Sequence, residues 1–264
     1  MRAGIGATLN ATERPLKKRW GKGLSPSCPT VRWVYRSLLR YYGPQGWWPV
    51  APVPGRPAVY DSRWTIGALN PAQQWEVAVG AILTQNTSWL NVEKAFSHLR
   101  RSKTSSPQCI GRCPVDRLAQ LIRPSGFFHQ KAARLQSLAR YLLTRWNGSL
   151  SALLHQDVSV ARAELLRLSG VGPETADSIL LYAGGHPVFV VDTYTKRLAH
   201  RLSFFRYNDY AMIQSFFHQR VEPSAPTRKE FHALVVAHAK AHCRARPLCG
   251  GCPLALRCVS RVEN

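Results

Sequence analysis

The sequence predicts an all-α protein, and three observations lead to this fold class. Apolar residues recur at helical spacing in most segments between residues 31 and 242. The alternation that is typical of strands is nearly absent, and PVFVV at 187–191 is its only candidate. The chain shows no internal repeat, and its 264 residues with 45% hydrophobic content suffice for one large domain or two smaller ones.

The first part of the chain combines a basic arm with a few helices. Residues 1–30 are basic, aperiodic and contain Gly, Pro and Ser, which predicts a disordered arm, with a transit peptide as the alternative. The elements predicted next are a helix at 31–42, a Pro- and Gly-rich loop at 43–57, helices at 73–83 and 89–100, and a polar linker at 101–114.

The second part is predicted to be almost entirely helical, because apolar residues recur three and four positions apart. Its predicted helices are 116–122, 130–146, 158–168, 175–182, 193–202 and 231–242. A turn at 123–128, RPSGFF, separates the first two of them.

Positive charge is distributed along the whole chain. Lys and Arg number 36 against 14 Asp and Glu, which gives a formal net charge of +22. Glu13 is the only acidic residue among the first sixty, and basic residues recur up to Arg257. Such an excess favours a polyanionic partner, most often nucleic acid, over a soluble protein with a basic tail. We expect a broad face that contacts phosphates without sequence preference.

The segment LLRLSGVGPETADSILL predicts two helices joined by a short turn. Gly170 and Gly172 permit backbone torsions closed to other residues and leave no side chain in the way, while Val171 anchors the turn in the core. The N–H groups of this turn and of the next helix start, at Glu174 and Thr175, can then point at a phosphate. The alternative is a tight turn that binds no ligand.

Four of the seven cysteines fall within sixteen residues, at Cys243, Cys249, Cys252 and Cys258. Because no secretory signal is evident, such a cluster indicates metal ligation rather than disulfides. The spacing C-x5-C-x2-C-x5-C suits a tetrahedral zinc ion or a [4Fe–4S] cluster, and ligand chemistry alone does not distinguish them. A loop without metal is the third alternative.

Several motifs occur together in one order. LSGVGPETADSILL followed by PVFVVDTYTKRL resembles the endonuclease III superfamily of helix-hairpin-helix DNA glycosylases, over about residues 31–260. The stretches YYGPQGWWPV, AILTQNTSW and IRPSGFFHQKAARL are most similar to the branch named endonuclease III-related or 3-methyladenine DNA glycosylase III. The resemblance implies a DNA repair enzyme that hydrolyses the N-glycosidic bond of a damaged base, of the alkylated class, in duplex DNA.

The resemblance also implies a two-lobed helix-hairpin-helix fold with DNA bound across the cleft. Residues 71–186 would form a helical barrel with the hairpin, and residues 31–70 plus 187–264 a second lobe that holds the cysteine loop. No apolar run reaches the roughly 18 residues that a membrane-spanning helix needs. We expect a monomer that is cytoplasmic and associated with the nucleoid.

Asp192, in VVDTYTKRL, matches the superfamily's catalytic aspartate. An Asp before Thr also suits a helix N-cap, and the two roles are compatible because backbone N–H donors keep a capping carboxylate ionised. An ionised carboxylate can stabilise an oxocarbenium-like sugar and orient or deprotonate an attacking water.

In bifunctional members, a lysine after the hairpin turn attacks the sugar as an amine nucleophile. Glu174 occupies the corresponding position here, and a carboxylate cannot form a Schiff base. We therefore expect a monofunctional enzyme that leaves an abasic site, with Glu174 as a partner of the helix dipole. Lys196 is a weaker candidate for a substitute nucleophile, since it lies a turn beyond Asp192.

By resemblance, AILTQNTSW supplies the wedge that replaces an extruded base. Either Gln85 or Asn86 would enter the duplex, and the alternative is helix capping by Asn86 and Thr87. Trp47 and Trp48 are predicted to offer an aromatic face to the flipped base, above all to a cationic alkylated purine. The alternative is that both tryptophans pack in the core.

Two further activities remain as alternatives. One is a bifunctional glycosylase/lyase, and the other is a non-catalytic DNA-binding protein. An enzyme acting on adenine opposite 8-oxoguanine is disfavoured by the same resemblance. The adenine glycosylase branch uses a glutamate on the helix before the wedge loop, and the only acid in the matching stretch WEVAVGAIL, Glu76, lies a turn too early.

For the cysteines, the resemblance implies a [4Fe–4S] cluster, since the superfamily carries one at this place with closely similar spacing. The first gap in the superfamily is one residue longer, so Cys243 departs from the pattern. The cluster would hold a loop whose Arg244, Arg246 and Arg257 can touch phosphate, and it would take no part in bond breaking.

Overall fold

The computed structural model describes residues 29–53, 55–61 and 69–262, so the predicted basic arm lies outside the described residues apart from its last two positions. The all-α prediction is confirmed: helices dominate this part of the chain, and its only strand-like pairing is an isolated bridge between Val50 and Val59. None of the helices described is both long and apolar enough to cross a membrane.

The α-helices are α1 (Val31–Tyr42), α2 (Pro71–Leu83), α3 (Trp89–Arg101), α4 (Pro107–Arg112), α5 (Val115–Leu121), α6 (Phe128–Arg145), α7 (Leu150–Leu154), α8 (Val158–Leu166), α9 (Pro173–Ser178), α10 (Thr193–Arg201), α11 (Tyr210–His218) and α12 (Ala225–Ala241). The helix α9 widens at its end into a π-helical turn at Ile179–Ala183, and single 3-10 turns lie at Arg123–Ser125 and Ala255–Arg257.

Local signals place many of the helix starts. Thr30 caps α1 by accepting the Trp33 N–H. Asn70 and Gln73 form a reciprocal capping box at the start of α2. Ser106 caps α4 within the stretch predicted as a polar linker, which corrects that prediction. The short helix α7 and the helix α11 were not predicted either, and α12 begins six residues earlier than expected.

Two hydrophobic cores lie side by side. The first is built mainly from α2 to α9, and the second from α1 and α10 to α12. The division into lobes at 71–186 and at 31–70 plus 187–264 stays a prediction. Trp48 and Val50, which that division assigns to the second lobe, pack in the first core.

The segment 187–191 runs between the two cores, and the candidate strand is not formed there. Val188 and Val190 are buried in the first core, whereas Phe189 and Val191 are buried in the second. This alternation explains the continuous apolar run, because successive side chains of an extended chain point to opposite sides and both sides are covered. The chain then enters α10 at Asp192.

Candidate active site

Asp192 lies where the two cores meet and is only 8% exposed. Its Oδ1 accepts a 2.6 Å hydrogen bond from the N–H of Thr195, so Asp192 is the N-cap of α10. The partial positive charge of the helix start and this N–H donor both favour the ionised carboxylate.

His232 of α12 faces the second oxygen of this carboxylate. Its Nε2 lies 3.6 Å from Asp192 Oδ2 and has no hydrogen-bond partner among the described residues. Its Nδ1 lies 2.7 Å from the hydroxyl of the buried Tyr182. Burial would raise the pKa of Asp192, but His232 and the Thr195 hydrogen bonds outweigh it and lower the pKa. The site therefore holds Asp192 as a carboxylate.

Glu174 stands on the first turn of α9 and keeps contact with solvent. The surrounding protein and the negative charge of Asp192 raise the pKa of Glu174, while His232 and Lys196 act in the opposite sense. The charges of Asp192, His232 and Lys196 therefore all act on Glu174 at the start of the hairpin helix. The group beside Asp192 at the hairpin is an acid and not an amine.

The two glycines of the hairpin turn have different surroundings. Gly170 has a φ of +78°, and a Cβ added there would lie 2.1 Å from Nε of Arg134, whose side chain passes over the turn. A Cβ added at Gly172 would meet nothing within 4 Å. Val171 between them is buried, as predicted for an anchor. Gly172 therefore leaves an open space directly before the N-terminus of α9. The first backbone N–H groups of a helix have no acceptor within the helix, so they can bind a ligand in this space.

Gln85 joins the loop after α2 to the hairpin. Its Nε2 donates to the Gly170 carbonyl at 3.0 Å and to the Thr175 hydroxyl at 2.9 Å. Its Oε1 accepts from the guanidinium of Arg134. The hydroxyl of Thr175 is therefore occupied by Gln85.

Asn86 differs from its neighbour Gln85. It is exposed, and its φ of +53° places it at the tip of the turn. The N-cap of the following helix α3 is Ser88, so the alternative considered for this loop, capping by Asn86 and Thr87, is not observed.

A second side chain that protrudes, Phe127, lies on the turn before α6 and was not anticipated. It is 64% exposed with a φ of +46°, which a bulky residue rarely adopts. The buried Lys131 donates to the Leu83 carbonyl at 2.8 Å and to the Ser125 carbonyl at 2.6 Å. Lys131 thereby fastens the turn of Phe127 to the loop of Asn86.

Aromatic rings continue from this region toward Asp192. The rings of Trp47 and Trp48 have centroids 5.1 Å apart, and Trp89 lies 4.9 Å from the first and 5.6 Å from the second. Trp48 is buried and lies 5.3 Å from Tyr182, whose ring is 5.8 Å from His232. Trp48 is thus a core residue, while Trp47 is only half-buried.

The cysteine loop, which contains Cys243, Cys249, Cys252 and Cys258, holds free thiols. Burial, and after it the three neighbouring thiols, raises the pKa of Cys252. Arg201 Nη1 lies 3.2 Å from Cys243 Sγ, and the Val262 N–H lies 3.5 Å from Cys249 Sγ. Among the described residues, no three Cys, His, Asp or Glu side chains are close enough to hold a single metal ion.

Comparison with known proteins assigns the chain to a family. Residues 79–223 match the family described as HhH-GPD superfamily base excision DNA repair protein. The chain belongs to this family. A protein of Methanocaldococcus jannaschii named as a candidate DNA repair glycosylase is 40% identical over 230 residues, which cover 86% of this chain and 95% of that protein. The thymine-DNA glycosylase of Aeropyrum pernix is 29% identical over 198 residues, 72% of this chain and 84% of that protein.

Solved structures agree with this assignment. The Helicobacter pylori 3-methyladenine DNA glycosylase bound to 1,N6-ethenoadenine superposes with a TM-score of 0.58 at 27% identity, over 67% of this chain and 92% of that chain. A non-covalent endonuclease III–DNA complex shows the same fold, with a TM-score of 0.66 at 23% identity over 87% and 94% of the two chains. The predicted superfamily is confirmed, and the chain is a DNA repair glycosylase of the helix-hairpin-helix type.

Several residues around the site of this glycosylase were missed by the sequence analysis. His232 follows Asp192 by forty positions and carries no motif of its own. Lys131 and Arg134 of α6 were not singled out either, yet Lys131 is buried and Arg134 crosses the hairpin. Glu76, which the sequence analysis placed a turn too early for a catalytic role, accepts the Ala51 N–H at 2.9 Å and forms a salt bridge with an arginine of α3.

Proposed function

We propose that this glycosylase is monofunctional and hydrolyses the N-glycosidic bond of an alkylated base in duplex DNA, leaving an abasic site. The observation that carries the proposal is the carboxylate of Glu174 in the first turn of the hairpin helix, whose charge interacts with that of Asp192. A lyase needs an amine that attacks the sugar C1′ as a nucleophile, whereas hydrolysis needs only a fixed negative charge and a water. By resemblance, the first turn of the hairpin helix is where that amine would stand, and Glu174 carries a carboxylate there.

Asp192 would act on the sugar through its charge. As the bond to the base lengthens, positive charge grows on the sugar, and a carboxylate already fixed by the Thr195 N–H stabilises that charge without reorganising. The same carboxylate can orient the water that attacks C1′. His232 faces the second oxygen and restricts its rotation, while Tyr182 holds His232 from behind.

The flipped base would be held by the aromatic residues between the wedge loop and Asp192. Trp47 has an accessible portion, and Trp48 and Trp89 support it from the core. An aromatic face favours a cationic alkylated purine by stacking and by cation–π attraction. The likeness to a 3-methyladenine DNA glycosylase supports the alkylated class.

The hairpin would bind the DNA backbone with its turn and with the start of α9, namely Gly170, Val171, Gly172, Glu174 and Thr175. The open space at Gly172 supports this assignment. Gln85 is engaged with the hairpin, which favours Asn86 as the side chain that enters the duplex and leaves Gln85 to support it. Phe127, fastened to the same loop, would be a second apolar wedge.

We also propose that the cysteine loop holds a [4Fe–4S] cluster through Cys243, Cys249, Cys252 and Cys258. A four-iron cube spreads its thiolates further than a single zinc ion does, because each thiolate binds a different iron. The donors that face the sulfurs of Cys243 and Cys249 suit thiolates. When bound, the cluster would cross-link the loop. The purified protein should then be yellow-brown with absorbance near roughly 400 nm and should contain iron rather than zinc.

The proposal is tested by base release. Duplexes that carry one alkylated, deaminated or oxidised base are incubated with the enzyme, and the released base is identified by mass spectrometry. We expect release from the alkylated duplex, with strands cut only after alkali treatment. Release confined to deaminated or oxidised bases would contradict the proposed substrate class.

Borohydride trapping on the same duplexes tests the monofunctional assignment. Wild-type protein should form no trapped adduct, whereas Glu174→Lys places an amine near the sugar and should allow trapping. Glu174→Gln is the matched control, because it removes the charge without adding a nucleophile.

A bifunctional glycosylase/lyase is the second candidate, and the position of Lys196 favours it. The positive charge of Lys196 acts to lower the pKa of Glu174, which supports an amine near the start of the hairpin helix. Efficient trapping by the wild type that is lost in Lys196→Met would establish this function instead.

A further inference from the structure

The extended segment before Asp192 is held by side chains and not by a sheet. The Phe189 N–H donates to His218 Nε2 at 2.9 Å, and the Phe189 carbonyl accepts from Gln214 Nε2 at 2.8 Å. The Val191 N–H faces the Tyr210 hydroxyl at 3.4 Å. Because this segment is buried between two cores, its backbone polar groups need such partners.

All three partners come from one face of α11. Tyr210, Gln214 and His218 are spaced four residues apart, which aligns them along a helix. Burial, and then the charge of Arg228, lowers the pKa of His218 to about 4, so its neutral imidazole can accept the Phe189 N–H. The face of α11 therefore takes the place of a neighbouring strand.

The same face also holds the hairpin. Asp177 on α9 is fully buried and receives a bidentate pair from Arg162 of α8, at 2.7 and 3.2 Å. It also accepts from the Tyr210 hydroxyl at 2.8 Å and from Gln214 Nε2 at 2.7 Å. Gln214 thus bonds the hairpin through Asp177 and the catalytic segment through Phe189.

We propose that Gln214 and Tyr210, gathered by Asp177, are positioning residues that set Asp192 in register with the hairpin. This inference rests on the proposed role of Asp192. The phosphate bound at the hairpin fixes where the sugar lies, and the bonds to the segment before Asp192 fix where the carboxylate lies. Since misplacement by about 1 Å can cost about 10²-fold in rate, a rigid link between the two is required for hydrolysis.

The test compares two glutamines that each hold a backbone carbonyl. Gln214→Leu removes the link, and Gln136→Leu removes the bond from Gln136 to the Cys113 carbonyl within the first core. Single-turnover base release at saturating enzyme, the Kd for undamaged duplex and the thermal midpoint are measured for both. We expect Gln214→Leu to lose about tenfold or more in rate at unchanged Kd, whereas Gln136→Leu keeps its rate even if its midpoint falls.

A second and more conservative pair of variants tests the same role if Gln214→Leu does not fold. Tyr210→Phe removes only the hydroxyl that reaches Asp177, and Tyr141→Phe removes a hydroxyl bonded to Glu164 on the other side of α8. Tyr210→Phe should slow base release about threefold or more and speed hydrogen exchange at the Val191 amide. Tyr141→Phe should change neither quantity.

The outcomes separate this inference from the proposed function. Loss of base release in the wild type, or full activity in Asp192→Asn, would end the proposed function itself. If Asp192→Asn is inactive while Gln214→Leu and Tyr210→Phe release base at the wild-type rate, the positioning role is overturned and the network serves stability alone.

Discussion

The hairpin turn and the segment before Asp192 solve the same problem, the placement of a functional group, in opposite ways. The hairpin is built from consecutive residues around Gly170 and Gly172, and its open space lies at the surface. The segment 187–191 depends on side chains from α11 that follow it by about twenty to thirty positions. A phosphate grip can thus be encoded locally, whereas the carboxylate is placed by distant parts of the chain.

The difference has an electrostatic reason. In the proposed function the hairpin would bind a phosphate through backbone N–H groups, which remain solvated until then. Asp192 is a charge in a buried place, and burial by itself disfavours the charged form. The Thr195 N–H and the His232 side chain must offset this cost of burying the charge. Of these two groups, His232 lies on a different helix, α12. Burial therefore forces the catalytic region to rely on tertiary contacts.

The largest expected effect comes from removing the charge of Asp192. Asp192→Asn keeps a capping oxygen for Thr195, so the fold should survive. Single-turnover base release should fall at least about 10²-fold, the scale of losing one preorganised electrostatic contact. DNA affinity should stay or rise, because a negative charge leaves the cleft. Asp209→Asn, at the exposed N-cap of α11, is the matched control and should keep full activity.

The next largest effect is expected from a change that weakens DNA binding at the hairpin and leaves Asp192 intact. Gly172→Ala should fold normally, since its Cβ meets nothing within 4 Å, but it fills the space offered to a phosphate. The Kd for DNA, measured by fluorescence anisotropy, should rise at least about tenfold, as for loss of one charge-assisted hydrogen bond.

Gly170→Ala provides the contrast to that variant. At its φ of +78° and beneath Arg134, it should lower the thermal midpoint as well as the affinity. Equal stability of the two alanine variants would mean that the hairpin is less locally determined than the structure indicates.

A smaller effect, on stability, is expected at the C-terminal end of α10, the helix that Asp192 caps. Arg201, the last residue of α10, donates to the carbonyls of Arg244 at 2.6 Å and Ala245 at 2.9 Å in the cysteine loop. Arg201→Met should lower the free energy of unfolding by about 2–3 kcal/mol and speed loss of iron from the proposed cluster to a chelator, because charged hydrogen bonds are removed. Arg206→Met, an exposed arginine nearby, should change neither.

The smallest effect depends on pH. Lys229 is 4% exposed, and burial lowers its pKa to about 8. Because the unfolded chain keeps its proton to about pH 10.5, the unfolded state binds more protons between these values, and wild-type stability rises with pH across that window. Lys229→Met should therefore raise the free energy of unfolding at pH 7 by about 1–3 kcal/mol.

This gain from Lys229→Met should shrink toward pH 10, as followed by chemical denaturation. Lys240→Met, at an exposed position of the same helix α12, should show no such pH-dependent difference. A gain that is constant between pH 7 and pH 10 would show that the fold does not lower the pKa of Lys229.

The sequence predicted most of the long helices and the family, because amphipathic spacing and the hairpin motif each depend only on residues that are close together in the sequence. It also singled out Asp192 and Glu174, which the structure places together. It did not predict α11, although the buried residues of this helix, Ile213, Phe216 and Phe217, recur at helical spacing. It named 187–191 as a candidate strand, and no strand forms there. The apolar run at 187–191 indicates that both sides of this segment are buried, and burial alone does not specify a partner strand.

The sequence by itself therefore determined the class of the protein and singled out the proposed phosphate-binding hairpin and the proposed catalytic carboxylate, since each is carried by a contiguous motif. Only the tertiary structure decided which residues hold that carboxylate. His232, Gln214 and Asp177 meet around the segment before Asp192 although they lie on three different helices. A buried charge and an extended segment without a sheet must find hydrogen-bond partners wherever packing brings them, and spacing along the chain does not encode that encounter.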